Sequence, residues 1–262
     1  MVIEAVIFDW EGTTIDYGGR ATLLAFQRTF ANFGVKLSES AIRRDMGLAD
    51  LAHIYQLLKD AAVRDGAAAN FGTTSIDDLA VRILAAIKRT RLAILPTSAQ
   101  LKPGVRELIA YLEANHIPYG TTSSGDPELI VDLLPLVAAQ GFRPHVNITT
   151  KDVEAGRPDP AMNRLAMAQL GVQHPARTII LGDTLDDIRA AQAAGANAVG
   201  VIEGASLLGL AKDQWLALTN QDRQQLRWKI RREYAAAGAD LIVNNARDLV
   251  RLMQSEATMA AN

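Results

Sequence analysis

The stretch Val6-Ile7-Phe8-Asp9-Trp10-Glu11-Gly12-Thr13-Thr14 decides how this chain is read. An apolar run ends abruptly in a carboxylate, and the backbone then turns through glycine and threonine. A carboxylate just past a buried strand is costly unless a cation or hydrogen-bond donors surround it. In an open parallel sheet the carboxyl end of a strand opens into the crevice where ligands bind, which makes Asp9 a candidate nucleophile or metal ligand. The plainer alternative is an aspartate that caps a turn or helix.

Working outward, short apolar runs recur at 118–122, 146–149, 178–181, 198–202 and 241–243, and with 3–8 they read as buried strands. Segments with apolar residues at three-to-four spacing separate most of them, at 104–115, 127–139, 159–170, 186–194 and 246–254. Alternating strand and helix predicts an α/β fold, a doubly wound parallel sheet covered on both faces. Between the first strand and the next, helical periodicity occurs at 21–33, 38–45, 50–63 and 75–93 without a strand pattern. This predicts an all-helical insert over 18–100, a cap on a core made of 1–17 and 101–262. Gly18-Gly19 at one end, and Leu95-Pro96 with Lys102-Pro103-Gly104 at the other, suit hinges and turns. The small, polar segment 65–74 reads as a loop, and 212–236 as a solvated helical pair.

Composition narrows the chemistry. The chain has 262 residues, enough for one large domain carrying an insertion. Its 27 Lys and Arg against 29 Asp and Glu give a net charge of -2, with no basic run to mark a nucleic-acid or membrane partner. A small-molecule substrate is expected. Cysteine is absent and the four histidines are scattered, which excludes thiolate catalysis and leaves oxygen donors to hold any metal. With no signal-peptide pattern or membrane-length apolar run, a cytoplasmic protein is expected.

Four predicted strand ends lead into polar residues: Asp9; Thr121-Thr122-Ser123-Ser124; a segment running to Gly156-Arg157-Pro158; and Gly182-Asp183-Thr184-Leu185-Asp186-Asp187. A hydroxyl, a guanidinium and several carboxylates around one point suit phosphoryl chemistry. Asp9 would be the nucleophile, Mg²⁺ would bridge carboxylate and phosphate, and Ser123 and Arg157 would hold phosphoryl oxygens. Thr122 is a rival to Ser123, and Asp183 and Asp187 also suit the cap of a helix beginning nearby.

The ordered set FDWEGTT, TTSSG, GRPDP and GDTLDD resembles the haloacid dehalogenase-like hydrolase superfamily. The chain resembles its phosphonatase branch, the phosphonoacetaldehyde hydrolases, nearly end to end: DW-GTT-DYG at 9–18, Met46-Gly47-Leu48, Ala93-Ile94-Leu95-Pro96 and the run 152–158 carry the likeness. The resemblance implies Asp9 as aspartyl nucleophile; Asp9, the Glu11 carbonyl and Asp183 as Mg²⁺ ligands; and Asp187 supporting the metal shell. It also implies phosphoryl binding by Ser123 and Arg157, a loop at Gly12 and Thr13 wrapped around the phosphoryl group, and a homodimer formed through the caps.

The chain departs from that branch where its special chemistry resides. Phosphonatases form a Schiff base through a cap lysine that the pattern places at position 50, which is aspartate here. An imine stabilises a carbon leaving group as an enamine, and a carboxylate offers no such electron sink. Two residues after the nucleophile, where phosphonatases have a small residue and superfamily phosphatases an acid, stands Glu11. Its carboxyl group can protonate a departing alkoxide; the alternative is that it contributes only its backbone carbonyl. Both changes favour cleavage of a P–O bond; a C–P hydrolase with another activation device and a weakly catalytic binding protein are the alternatives. His53 matches a histidine of the phosphonatase cap, and Asp50 and His53 are candidates for touching substrate. Their structural readings are a solvated helix start and a partly buried imidazole. Position 125, aromatic in phosphonatases, is Gly here.

Overall fold

The computed structural model describes residues 2–45 and 50–261, with 256–261 described by backbone alone. The chain divides into two compact units, one running through Gly19 and resuming at Ala99, the other Arg20–Ser98.

The first unit is built on six parallel strands: β1 (Ala5–Phe8), β2 (Tyr119–Ser123), β3 (Val146–Thr149), β4 (Thr178–Gly182), β5 (Asn197–Val201) and β6 (Leu241–Val243). Their order is β3-β2-β1-β4-β5-β6, so the sheet grows in opposite directions from β1. Phe8 pairs with Thr121 on one side and Leu181 on the other, so Asp9 leaves the sheet between the ends of β2 and β4. This is the switch point at which doubly wound sheets open a crevice. The strands are buried along almost their whole length, which explains why they read as continuous apolar runs rather than alternating ones. Ile7, Ile148 and Ile180 pack with Met162, Ala166, Ile188 and Ala191 of the flanking helices. Phe8 and Trp10 meet Phe142 edge-on, each with ring centroids 5.3 Å apart.

The second unit is helical: α1 (Arg20–Asn32), α2 (Glu39–Arg43), α3 (Asp50–Leu57), α4 (Ala61–Phe71) and α5 (Ile76–Ser98). Phe26, Phe30, Ile54, Ile83 and Ile87 lie in its own apolar core. The remaining helices belong to the first unit: α6 (Val105–Ala114), α7 (Pro127–Ala138), α8 (Ala161–Gln169), α9 (Leu185–Ala193), α10 (Lys212–Ala217), α11 (Asn220–Ala236) and α12 (Ala246–Ala261). Among the described residues no helix is long and apolar enough to cross a membrane.

Two expectations are corrected. The segment 65–74 is not a loop: most of it is α4, and the pattern at 50–63 is the whole of α3 followed by the start of α4. The Asp60 carboxylate accepts from the N–H groups of Ala62 and Val63 and starts α4, while Gly72 in the left-handed region ends it. An alanine-rich stretch has little apolar periodicity but ample helix propensity. The second correction concerns Leu95-Pro96, which is not a hinge but lies inside the last turn of α5. There the Thr97 hydroxyl donates to the Ile94 carbonyl at 2.7 Å, satisfying an acceptor that would otherwise face a helix end.

Candidate active site

β1 delivers Asp9, and a tight turn follows. The Asp9 N–H is still in sheet register, donating to Leu181 O at 3.0 Å, while the Thr14 hydroxyl returns to the Asp9 carbonyl at 2.6 Å. Gly12 donates its N–H to Ile15 O at 2.8 Å and adopts φ +81°. A side chain there would be strained and would place Cβ 2.5 Å from Asp183 Cγ, so glycine is what lets this turn approach the end of β4.

At the end of β4, Asp183 is fully buried. Its two oxygens accept from Ser206 N–H at 2.6 Å and from the Thr13 hydroxyl at 3.1 Å. Asp187 closes a capping box at the start of α9: Oδ2 accepts from the Thr184 N–H at 2.9 Å and the Thr184 hydroxyl at 2.6 Å. The capping reading of Asp187 is thus realised, yet its other oxygen lies 2.6 Å from Arg157, so one carboxylate both starts the helix and faces the site. The same Arg157 nitrogen lies 2.6 Å from Asp9 Oδ1. Thr122 fixes that guanidinium, accepting at its carbonyl (3.0 Å) and its hydroxyl (2.7 Å). Ser123 is buried at the end of β2, and its Oγ accepts from the Gly125 N–H at 3.1 Å, which leaves its hydroxyl proton to donate elsewhere.

Asp9, Asp183 and Asp187 each offer an oxygen within 4.8 Å of the others. Three buried carboxylates so close cannot all carry charge cheaply. Burial, then Asp187, push the Asp9 carboxyl well above the usual range, with Arg157 pulling the other way. Burial and Asp187 likewise raise Asp183 to about 6, against the opposing pull of the Ser206 N–H and Lys102. Burial opposes the charge on Arg157, but Asp187 and Asp9 more than offset it. An all-oxygen, anionic donor set whose repulsion Arg157 only partly relieves is what a hard divalent cation such as Mg²⁺ fits.

A sequence profile described as haloacid dehalogenase-like hydrolase matches residues 3–195. The chain belongs to that family. This hydrolase is 41% identical over 254 residues to a phosphonoacetaldehyde hydrolase of Lactiplantibacillus plantarum, covering 97% of this chain and 96% of the relative. It is 32% identical to the Hahella chejuensis protein of the same name, over 94% and 84% of the two chains. Among solved structures, a phosphonoacetaldehyde hydrolase-like protein from Oleispira antarctica superposes with a TM-score of 0.84 at 28% identity, covering 97% of this chain and 92% of that one. The crystal structure of a putative β-phosphoglucomutase from Thermotoga maritima shares the fold, with a TM-score of 0.66 at 21% identity.

The remaining candidates of the hydrolase are distributed as follows. Glu11 is half-buried, and its backbone forms a bridge with Ile15. Asp50 and His53 lie in the helical unit. Both oxygens of Asp50 are held by the Arg91 guanidinium, the Nη2–Oδ1 contact being 2.7 Å, in a pair that is mostly buried. His53 is buried and stacks on Phe26 with centroids 4.4 Å apart; burial lowers its pKa. Met46-Gly47-Leu48 lies outside the described residues.

Sequence reasoning passed over Thr122 as the anchor of Arg157, and gave Lys102 no role in the site. Lys102 was read as part of a turn, but it is buried and its ammonium donates to the Gly12 carbonyl. Burial lowers its pKa to about 8, although Asp183 and Glu203 favour its charge. Tyr234, from α11, also escaped notice. Its hydroxyl donates to the Asp183 carbonyl at 2.6 Å.

Proposed function

We propose that this hydrolase cleaves a P–O bond in a small phosphorylated metabolite through an aspartyl-phosphate. The observation that carries the reading is the cluster of Asp9, Asp183 and Asp187 clasped by Arg157 at the switch point of the sheet. Mg²⁺ would be held by Asp9, the Glu11 carbonyl and Asp183, with Asp187 in support; bound there, it neutralises charge on the phosphoryl oxygens. The segment 20–98 acts as a cap that excludes water, and two copies pair through it.

The chain's own groups then have distinct tasks. An Asp9 oxygen attacks phosphorus while the bond to the leaving oxygen breaks, and the Glu11 carboxyl gives that oxygen its proton. Glu11, now a carboxylate, takes a proton from water as the water oxygen attacks the acyl-phosphate; phosphate leaves and Asp9 is restored. Arg157, the Ser123 hydroxyl and the Thr13 N–H bind the phosphoryl oxygens. The preference for P–O over C–P cleavage rests on Asp50, which cannot form an imine and whose two oxygens are engaged by Arg91.

The second reading, a phosphonate hydrolase that activates carbon without this lysine, is favoured by the names of the relatives at 41% and 32% identity. Phosphate release from phosphomonoesters and from phosphonoacetaldehyde, each with Mg²⁺, separates the two. The P–O reading expects ester turnover that Asp9→Asn abolishes and Glu11→Ala suppresses far more than it weakens metal binding. Unchanged ester turnover in Glu11→Ala removes Glu11 from the mechanism, and a borohydride-trapped adduct between any lysine and the aldehyde restores the imine route.

A further inference from the structure

A buried lysine is expensive, and its position under the nucleophile turn calls for a reason beyond packing. Lys102 is 4% exposed. Its ammonium lies 5.3 Å from the centre of the Tyr17 ring, and Gly204 leaves room for it: a Cβ there would come within 2.7 Å of Nζ. Asp183 and then Glu203 supply the countercharge, Glu203 itself being held by the Tyr17 hydroxyl and Asn245 Nδ2, each at 3.0 Å. The ammonium in turn grips the Gly12 carbonyl.

In a trans peptide the C=O and the following N–H point in opposite directions. Drawing the Gly12 carbonyl toward Lys102 therefore turns the Thr13 N–H away from it. Thr13 is buried, and among the described residues its N–H meets no acceptor. An unsatisfied buried N–H is rare, and an anion is a natural partner for one.

We infer that Lys102 is a positioning residue: by holding the Gly12 carbonyl it orients the Gly12–Thr13 peptide so that the Thr13 N–H donates to the phosphoryl group. The inference rests on the phosphoryl-transfer reading above and adds a residue to it. Lys102 touches no substrate; its charge also favours the Asp183 carboxylate, but its contact with the nucleophile turn is through that one peptide plane.

The test uses the full chain, inorganic phosphate with Mg²⁺, calorimetry and amide NMR. Lys102→Met removes the charge but leaves Glu203 buried without a nearby cation, so Lys102→Met/Glu203→Leu is made alongside it to remove both charges and preserve the fold. In the native protein, phosphate should bind and shift the Thr13 amide resonance. In the double variant, with melting temperature retained, phosphate affinity should fall about ten- to a hundredfold, the loss expected for one hydrogen bond to a charged group. The Thr13 amide should also be displaced in the free protein and silent to phosphate. A folded double variant that binds phosphate as tightly as the native chain, with the same Thr13 response, overturns the role of Lys102 alone. A native protein that binds no phosphate overturns the phosphoryl reading and this inference with it.

Discussion

Gly12→Ala adds a single methyl group where two constraints meet. Holding an L-residue at φ +81° costs about 1–2 kcal/mol by itself. The new Cβ would also stand 2.5 Å from Asp183 Cγ and 2.9 Å from Oδ1, so the turn or the carboxylate must retreat by about 1 Å to reach ordinary contact. Asp183 has little freedom to do so, because its oxygens hold the Ser206 N–H and the Thr13 hydroxyl. Weakening hydrogen bonds to a charged acceptor costs about 1.5–3 kcal/mol each, which with the backbone share brings the expected destabilisation to about 4–8 kcal/mol. Gly34→Ala is the control: its φ is +74°, but nothing lies within 4 Å of the added carbon, so it should cost only the backbone share, about 1–2 kcal/mol. Urea denaturation measures both variants. Because a displacement of about 1 Å among reacting groups is enough to cost about a hundredfold in rate, Gly12→Ala should also lose at least that much kcat/KM on whichever phosphorylated substrate the native protein turns over. Equal stabilities for the two variants, with native turnover in Gly12→Ala, would refute the claim that the turn and Asp183 are packed against each other for function.

Two further outcomes follow from the electrostatics. Asp50→Leu or Arg91→Leu should each cost about 3–5 kcal/mol by stranding a largely buried charge, whereas the double variant should cost less than the sum of the two; denaturant titration of all three variants gives the coupling directly. Asp183 has a folded pKa raised to about 6, above its unfolded value of 3.8. The Mg²⁺-free protein therefore holds this contribution to stability fully below pH 3.8 and loses it as the pH rises through about 6. Mg²⁺ affinity should run the other way, falling at least about tenfold per unit as the pH drops below about 6, since Asp183, and Asp9 whose carboxyl is also raised, must shed their protons to bind. Calorimetric Mg²⁺ titrations between pH 5 and 8 check the affinity, and melting temperatures in a chelator check the stability.

The acidic cluster of the candidate site is legible in the sequence because Asp9 and Asp183 follow strand ends. An apolar run that stops at Asp9 or Gly182 announces both a strand and the polar group beyond it, and parallel alternation brings such ends together. Partnerships that cross the fold left no such mark. Asp50 finds Arg91 forty-one positions away, and nothing local distinguishes that arginine from those on the surface of the same helix. Lys102 sits in a Lys-Pro-Gly run that spells a turn, and only the tertiary fold puts its ammonium beneath Gly12. The α4 helix was missed for a different reason: Ala-rich helices with glycine inside carry propensity and caps but weak periodicity, so the polar small-residue composition won.

The short bridge from Ile15 to Leu101, with the Lys102 N–H on the Thr14 carbonyl at 2.9 Å, fastens the outgoing and returning strands of the chain together inside the α/β unit, beneath the point where 20–98 is threaded in. The excursion thus starts and finishes at one doorway that is already latched shut. Its contents are exchangeable in principle: a graft of another length or architecture needs only to begin and end at neighbouring points, and the catalytic framework need not be rebuilt to receive it.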